Sequence, residues 1–193
     1  AGKVIAVEKD ARLIPILKQK FASEIASGKL ELVHADILFT DLRFKIKDVS
    51  SYKIVANLPY YITGQFLRKF LQSDNQPSSM TLLLQKEVAK RIIAADGKES
   101  LLSISIKCYG DPCYIATIKA GSFSPPPQVD SAILAIENIS KDFFRLNLKK
   151  VGEKEFFVLL KKGFAHPRKL LSSNLGITTE TLAYCGIPEK SRA

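Results

Sequence analysis

Short, largely apolar runs of strand length alternate along this chain with longer runs whose apolar residues recur at helical spacing. Residues 3–7, 30–34, 52–56 and 80–84 are apolar on both faces, as strands covered on both sides by helices are. Between them, Asp10 is placed as an N-cap for a helix through Leu13, Ile16, Leu17 and Phe21, with Pro15 weakening its first turn and Gly28 ending it. Residues 63–73 put Phe66, Leu67, Phe70 and Leu71 on one helical face, and a charged helix runs over residues 86–94. Strand and helix in alternation specify an α/β fold with a largely parallel sheet. Residues 113–119 and 132–139 read as a closing antiparallel pair. Residues 101–109 are ambiguous, since alternating Ser and Ile look strand-like where the order of elements calls for a helix.

Each of three strands ends on a side chain with hydrogen-bonding oxygen: Glu8, Asp36 and Asn57. Ligands of open α/β sheets bind just beyond the carboxyl ends of the strands. Glu8 is placed to take ribose hydroxyls, and Asp36 to accept from an adenine amine with Ile37 packing on the ring. Asn57 opens Asn57-Leu58-Pro59-Tyr60. The proline fixes φ near −65° and lacks an N–H. The residue before it is held out of the α region, which frees the Leu58 carbonyl to face a cleft. Amide oxygen, peptide oxygen and aromatic face together make a device for gripping a nucleobase amine. Taken singly, each of these residues reads equally well as a turn former, a cap or a surface acid.

Composition narrows the class. The chain has 193 residues and a net charge of +10; from residue 141 onward eleven Lys/Arg stand against five Asp/Glu. A basic tail on a nearly balanced body points to a polyanionic partner. No apolar run approaches the roughly 20 residues of a membrane span, and no leader pattern opens the chain. Cys108, Cys113 and Cys185 lack zinc spacing from His34 and His166, so no metal site is expected. The cysteines read as reduced thiols in a cytoplasmic protein. Residues 141–152 read as a linker, followed by short helices over Glu153–Gly163, 169–175 and 179–185.

The chain resembles the ribosomal RNA adenine N6,N6-dimethyltransferase family of the kasugamycin-resistance type. The stretches that carry the likeness run in family order over nearly the whole length: Val4-Ile5-Ala6-Val7-Glu8, His34-Ala35-Asp36-Ile37, Asn57-Leu58-Pro59-Tyr60-Tyr61-Ile62-Thr63, residues 84–91, Phe123-Ser124-Pro125-Pro126-Pro127-Gln128-Val129-Asp130-Ser131, and Gly163-Phe164 through Arg168-Lys169. The resemblance implies a Rossmann-like class I methyltransferase sheet over residues 1–140 and the start of a small helical, RNA-contacting domain over residues 141–193. It implies methyl transfer from S-adenosylmethionine to the N6 amine of adenosines in small-subunit ribosomal RNA, on a pre-30S particle, by a monomer in ribosome biogenesis. By the same resemblance Glu8, Asp36, Ile37 and Asn57 serve the cofactor, and Asn57, Leu58, Pro59 and Tyr60 the chemistry. Tyr60 and Phe123 stack on the target base, while Lys161, Lys162, Arg168 and Lys169 meet RNA.

The chain departs from the family pattern in two places. The family's glycine-rich loop and the central strand before it have no counterpart here, so the two neighbouring strands are expected to lose hydrogen-bond partners. His166-Pro167 stand where basic residues are usual, which implies weaker RNA contact there. The alternative reading is a non-catalytic RNA- or DNA-binding assembly or transcription factor on the same fold.

Overall fold

The computed structural model describes residues 2–41, 46, 51–148 and 151–192. Strand β1 (Val4–Glu8) leads into helices α1 (Leu13–Lys20) and α2 (Ala22–Ala26), then β2 (Leu30–His34). After β3 (Lys53–Asn57), a single 3-10 turn (Tyr60–Ile62) opens α3 (Thr63–Leu71). Next come β4 (Ser79–Gln85), α4 (Lys86–Ile93), α5 (Leu101–Lys107), β5 (Asp111–Ile118) and β6 (Ser131–Glu137). Helices α6 (Asp142–Asn147), α7 (Glu153–Gly163), α8 (Leu171–Leu175) and α9 (Thr179–Tyr184) complete the chain.

The strands form two ladders. β1 and β2 pair in parallel, with Glu8 opposite His34. The larger ladder runs β3-β4-β6-β5, parallel between β3 and β4 and antiparallel elsewhere. β1 and β3 therefore each have a strand partner on one side only among the described residues. β3 is also open on one face: Lys53, Val55 and Asn57 are exposed, Val55 to 83%. The expectation that every strand is covered on both faces thus holds for β6, fails for β3, and holds for only one face of β4, whose Thr81 is exposed.

The core lies where β4 and β6 meet the helices. Met80, Leu82 and Leu84 from β4 and Leu134 and Ile136 from β6 are fully buried. They pack with Phe66, Leu67, Phe70 and Leu71 of α3, Ala89 and Ile92 of α4, and Ile106 of α5. Helical spacing in the sequence placed all four α3 residues on one face, and all four are buried.

Four local expectations change. Asp10 does not sit at the N-cap of α1; Arg12 does, without a side-chain cap. Asp10 instead binds the Arg12 guanidinium at 2.6 Å and accepts the Arg12 N–H at 2.9 Å; the guanidinium first and then the amide lower the Asp10 pKa to about 2. Pro15 falls at the third residue of α1, in the first turn, where backbone N–H groups lack helical partners in any case, so the helix accommodates it. The expected single helix is two, joined at Phe21, and Gly28 at φ +73° closes the second. The ambiguous stretch is a helix: Ser100 accepts from the Ser103 N–H at 3.1 Å and Ser103 accepts from the Ser100 N–H at 2.6 Å. That reciprocal cap outweighs the strand-like alternation.

The segment read as a linker contains α6, held by an aromatic cluster. Phe144 is buried, with its ring centroid 5.1 Å from that of Tyr109, and Phe157 stacks on Tyr109 at 6.0 Å. The Tyr109 hydroxyl donates to Glu153 Oε1 at 2.6 Å, and burial followed by this bond raises its pKa. All three cysteines are free, and burial pushes the Cys108 thiol up to about 11. Among the described residues no helix is long and apolar enough to cross a membrane, and no cluster of acidic, His or Cys side chains is arranged to hold a metal.

Candidate active site

β3 ends at Asn57, opposite Leu83 of β4. The Leu58 N–H reaches the Leu83 carbonyl at 3.4 Å, continuing the ladder by one residue, and Leu58 is buried. Pro59, at φ −54° and ψ 132°, then turns the chain away. The Ile62 N–H bonds back to the Pro59 carbonyl at 3.1 Å, closing the 3-10 turn that presents Tyr60. This backbone path is what a proline in this position dictates. Asn57 is exposed, and its side-chain amide has no hydrogen-bond partner among the described residues. No N–H among them donates to the Leu58 carbonyl either.

Asn57, Leu58, Pro59 and Tyr60 line one side of an open cleft of about 320 Å³; Phe123, Pro125, Pro127 and Ser131 line the other. One hydrogen bond joins these walls, and Asp130 braces the proline-rich loop itself. The Tyr60 hydroxyl bonds Ser131 Oγ at 2.9 Å, and Ser131 is 1% exposed. Asp130 ties both stems of the proline-rich loop: it accepts the Ala120 N–H at 3.1 Å and pairs with Lys86 and Lys119, each at 3.3 Å. The Ala120 amide contributes most to lowering the Asp130 pKa. Asp130 and Ser131 were legible only as motif letters, with no role attached.

The hydroxyl bridge is directly testable. Tyr60→Phe and Ser131→Ala each remove one end of it. A double-mutant cycle by urea unfolding is expected to return a coupling of about 1 kcal/mol. Strictly additive single effects would mean that the two hydroxyls do not bond.

Glu8, Asp36 and Ile37 form a second group at the carboxyl ends of β1 and β2. Glu8 Oε1 accepts the Asp10 N–H at 2.7 Å, and Oε2 has no partner among the described residues. Asp36 Oδ1 accepts the Leu38 N–H at 2.9 Å, while Oδ2 pairs with Lys9 at 2.8 Å. The Lys9 ammonium and then the Leu38 amide hold the Asp36 pKa below its ordinary value. Ile37 is half-buried against the core. Neither Glu8 nor Asp36 lines the Tyr60 cleft, so the expected site residues divide between two places. Lys9 as the Asp36 partner was not anticipated from the sequence.

Lys161, Lys162, Arg168 and Lys169 are exposed and without ion-pair partners among the described residues. Asn174 Nδ2 donates to the carbonyls of Gly163 (2.7 Å) and His166 (3.0 Å), fastening the turn that carries Arg168 and Lys169 to the end of α7.

Parallel strands ending in carboxylates, beside a mixed ladder whose first strand ends in an amide–proline–tyrosine turn, define the class I methyltransferase fold. Solved structures agree. A 23S rRNA methyltransferase, ErmE, shares the fold at TM-score 0.71 and 19% identity, over 99% of this chain and 75% of that one. A dimethyladenosine transferase from Plasmodium falciparum aligns at TM-score 0.74 and 26% identity, over 94% of this chain and 63% of that one. Residues 1–187 match the family model for ribosomal RNA adenine dimethylase, and the chain belongs to that family. A ribosomal RNA small subunit methyltransferase A of Dehalococcoides mccartyi is 43% identical over 175 residues, which cover 91% of this chain and 58% of the relative. The protein so named in Geobacter metallireducens is 36% identical over 200 residues, covering 96% and 70%. The chain spans 58% to 62% of the Dehalococcoides relatives.

Proposed function

We propose that the protein transfers methyl groups from S-adenosylmethionine to the N6 amine of adenosines in small-subunit ribosomal RNA, dimethylating them during ribosome biogenesis. The observation that carries this reading is an exposed Asn57 amide, free of internal partners, in one cleft with Leu58, Tyr60 and Phe123. An adenine amine is a weak nucleophile because its lone pair is delocalised into the ring. Asn57 Oδ1 and the Leu58 carbonyl accept its two hydrogens, drawing the nitrogen toward tetrahedral geometry and freeing the lone pair. The same oxygens stabilise positive charge growing on nitrogen. The base leaves its stack at a cost of a few kcal/mol, and Tyr60 offsets part of this, since base–aromatic stacking is worth about 1–3 kcal/mol. Phe123 covers the opposite face of the base. Proton loss from the alkylated amine to water completes the transfer without a general base.

The acidic residues at the ends of β1 and β2 suit the cofactor. Glu8 Oε2 is open to a ribose hydroxyl. The Asp36 carboxylate, beyond its bonds to Lys9 and Leu38, retains lone pairs for an adenine amine. Asn57 also serves the cofactor. S-adenosylmethionine supplies the electrophilic methyl carbon. Residues 1–140 are the catalytic part. Residues 141–193 begin an RNA-contacting helical domain in which Lys161, Lys162, Arg168 and Lys169 neutralise phosphates. The enzyme works as a cytoplasmic monomer on a small-subunit precursor particle.

Protein expressed from its complete reading frame, given labelled S-adenosylmethionine and unmodified small-subunit rRNA, is expected to place label in N6,N6-dimethyladenosine after nuclease digestion. RNA that binds but stays unlabelled would sink the catalytic reading in favour of an assembly factor.

A further inference from the structure

Lys69 lies on the α3 face turned toward the loop after β2, and its ammonium meets three backbone carbonyls at once: Ile37 at 2.7 Å, Leu38 at 3.0 Å and Thr40 at 2.6 Å. An ammonium has three donors and no acceptor, so all its hydrogen-bonding capacity is spent on one short loop. The loop is further coiled on Asp36, whose carbonyl accepts from Phe39 and Thr40 and whose carboxylate accepts from Leu38. Burial lowers the Lys69 pKa, with Asp41 and Asp36 opposing it. A half-buried ammonium that meets three carbonyls of one short loop, with Asp41 and Asp36 near enough to favour its charge, pins that loop to its helix. Its helix starts directly after the Asn57–Tyr60 turn, while its target loop carries Asp36 and Ile37.

We propose that Lys69 is a positioning residue for the cofactor: it locks the loop bearing Asp36 and Ile37 to the helix that follows the target-base turn, so that the two groups of site residues keep a fixed relation. This rests on the cofactor assignment made above. Asp36 touches the adenine; Lys69 acts through the loop and touches no reactant.

Lys69→Met removes all three donors. Lys69→Gln keeps an amide donor and provides a folded variant should the first fail. Arg68→Met, one residue away on the exposed side, removes the same charge without touching the loop. With protein from the complete reading frame, S-adenosylhomocysteine binding by calorimetry, KM for S-adenosylmethionine and for RNA, kcat, and amide exchange at Leu38 and Thr40 are measured. Lys69→Met is expected to weaken cofactor binding roughly tenfold, about 1.4 kcal/mol, and Lys69→Gln by less. KM for the cofactor rises in parallel, kcat and KM for RNA hold, and the Leu38 and Thr40 amides exchange faster. Arg68→Met matches the wild type.

Asp36→Ala separates the two levels of the proposal. If it weakens cofactor binding while both Lys69 variants bind as wild type does, the positioning role is overturned and the cofactor assignment stands. If Asp36→Ala itself binds normally, the assignment is wrong and the positioning role goes with it. A KM rise for RNA equal to that for the cofactor would mark general loss of structure and also overturn the role.

Discussion

Asn57→Ala is expected to lower the methyl-transfer rate by about 10² to 10³, some 2.7–4 kcal/mol of transition-state stabilisation, by analogy with removal of one oxyanion-hole donor. RNA binding should stay near the wild-type level, because the phosphate contacts assigned to Lys161, Lys162, Arg168 and Lys169 lie on other elements. Stability should also change little. The Asn57 side chain is exposed and bonds to nothing among the described residues, and surface substitutions of that kind usually fall within about 0.5 kcal/mol. Most of the effect should appear in kcat, since the amide is asked to act most strongly as charge grows on nitrogen. The measurement is single-turnover methyl transfer beside RNA binding at fixed salt. A variant that keeps the wild-type rate would remove Asn57 from the chemistry, and a variant that loses RNA binding in proportion to rate would make it a docking residue instead.

The part of this site that was legible in the sequence is the part built by local chain stiffness. Asn57 to Tyr60 could be placed because a strand-length apolar run ends there and a proline dictates the next turn, and the structure returns that turn. Phe66, Leu67, Phe70 and Leu71 could be placed because spacing alone puts them on one face. What spacing does not encode is which residue meets which across the fold. Lys69 reads as an ordinary cation on the polar side of an amphipathic helix, and only the return of the loop after β2 gives it three carbonyls. Ser131 is a small polar residue at a strand start until Tyr60 arrives from 71 positions away. Residues 141–152 look like a linker because they are rich in charge, yet Phe143 and Phe144 find an aromatic cluster contributed by Tyr109, Phe156 and Phe157. Lys9 is hidden for a similar reason: its partner, Asp36, lies just past the end of the neighbouring parallel strand rather than nearby in sequence.

Phe66→Ala should carry the largest stability cost of any substitution near the site. Phe66 is 2% exposed, its ring centroid lies 4.8 Å from that of Phe70, and it belongs to the core shared with β4 and β6. Truncating a buried phenyl removes its transfer free energy and leaves a cavity that neighbours fill only in part, typically about 3–5 kcal/mol. Domains have only about 5–15 kcal/mol in total, so about a fifth or more of the stability is at stake. At about 2–4 °C per kcal/mol for a chain of this size, the melting temperature should drop by roughly 6–20 °C. Phe66→Leu, which retains most of the apolar volume, should cost less. Val158→Ala on an exposed face of α7 should stay within about 0.5 kcal/mol. Urea unfolding of the three variants orders them, and a Phe66→Ala cost no greater than that of Val158→Ala would mean that α3 does not pack as described. The site depends on this packing from both ends: α3 starts at Thr63, whose hydroxyl caps the Tyr60 carbonyl at 3.2 Å, and carries Lys69 in its last turn. Loosening Phe66 should therefore disturb the base cleft and the Asp36 loop together, raising KM for cofactor and RNA alike, whereas Lys69→Met raises the first alone.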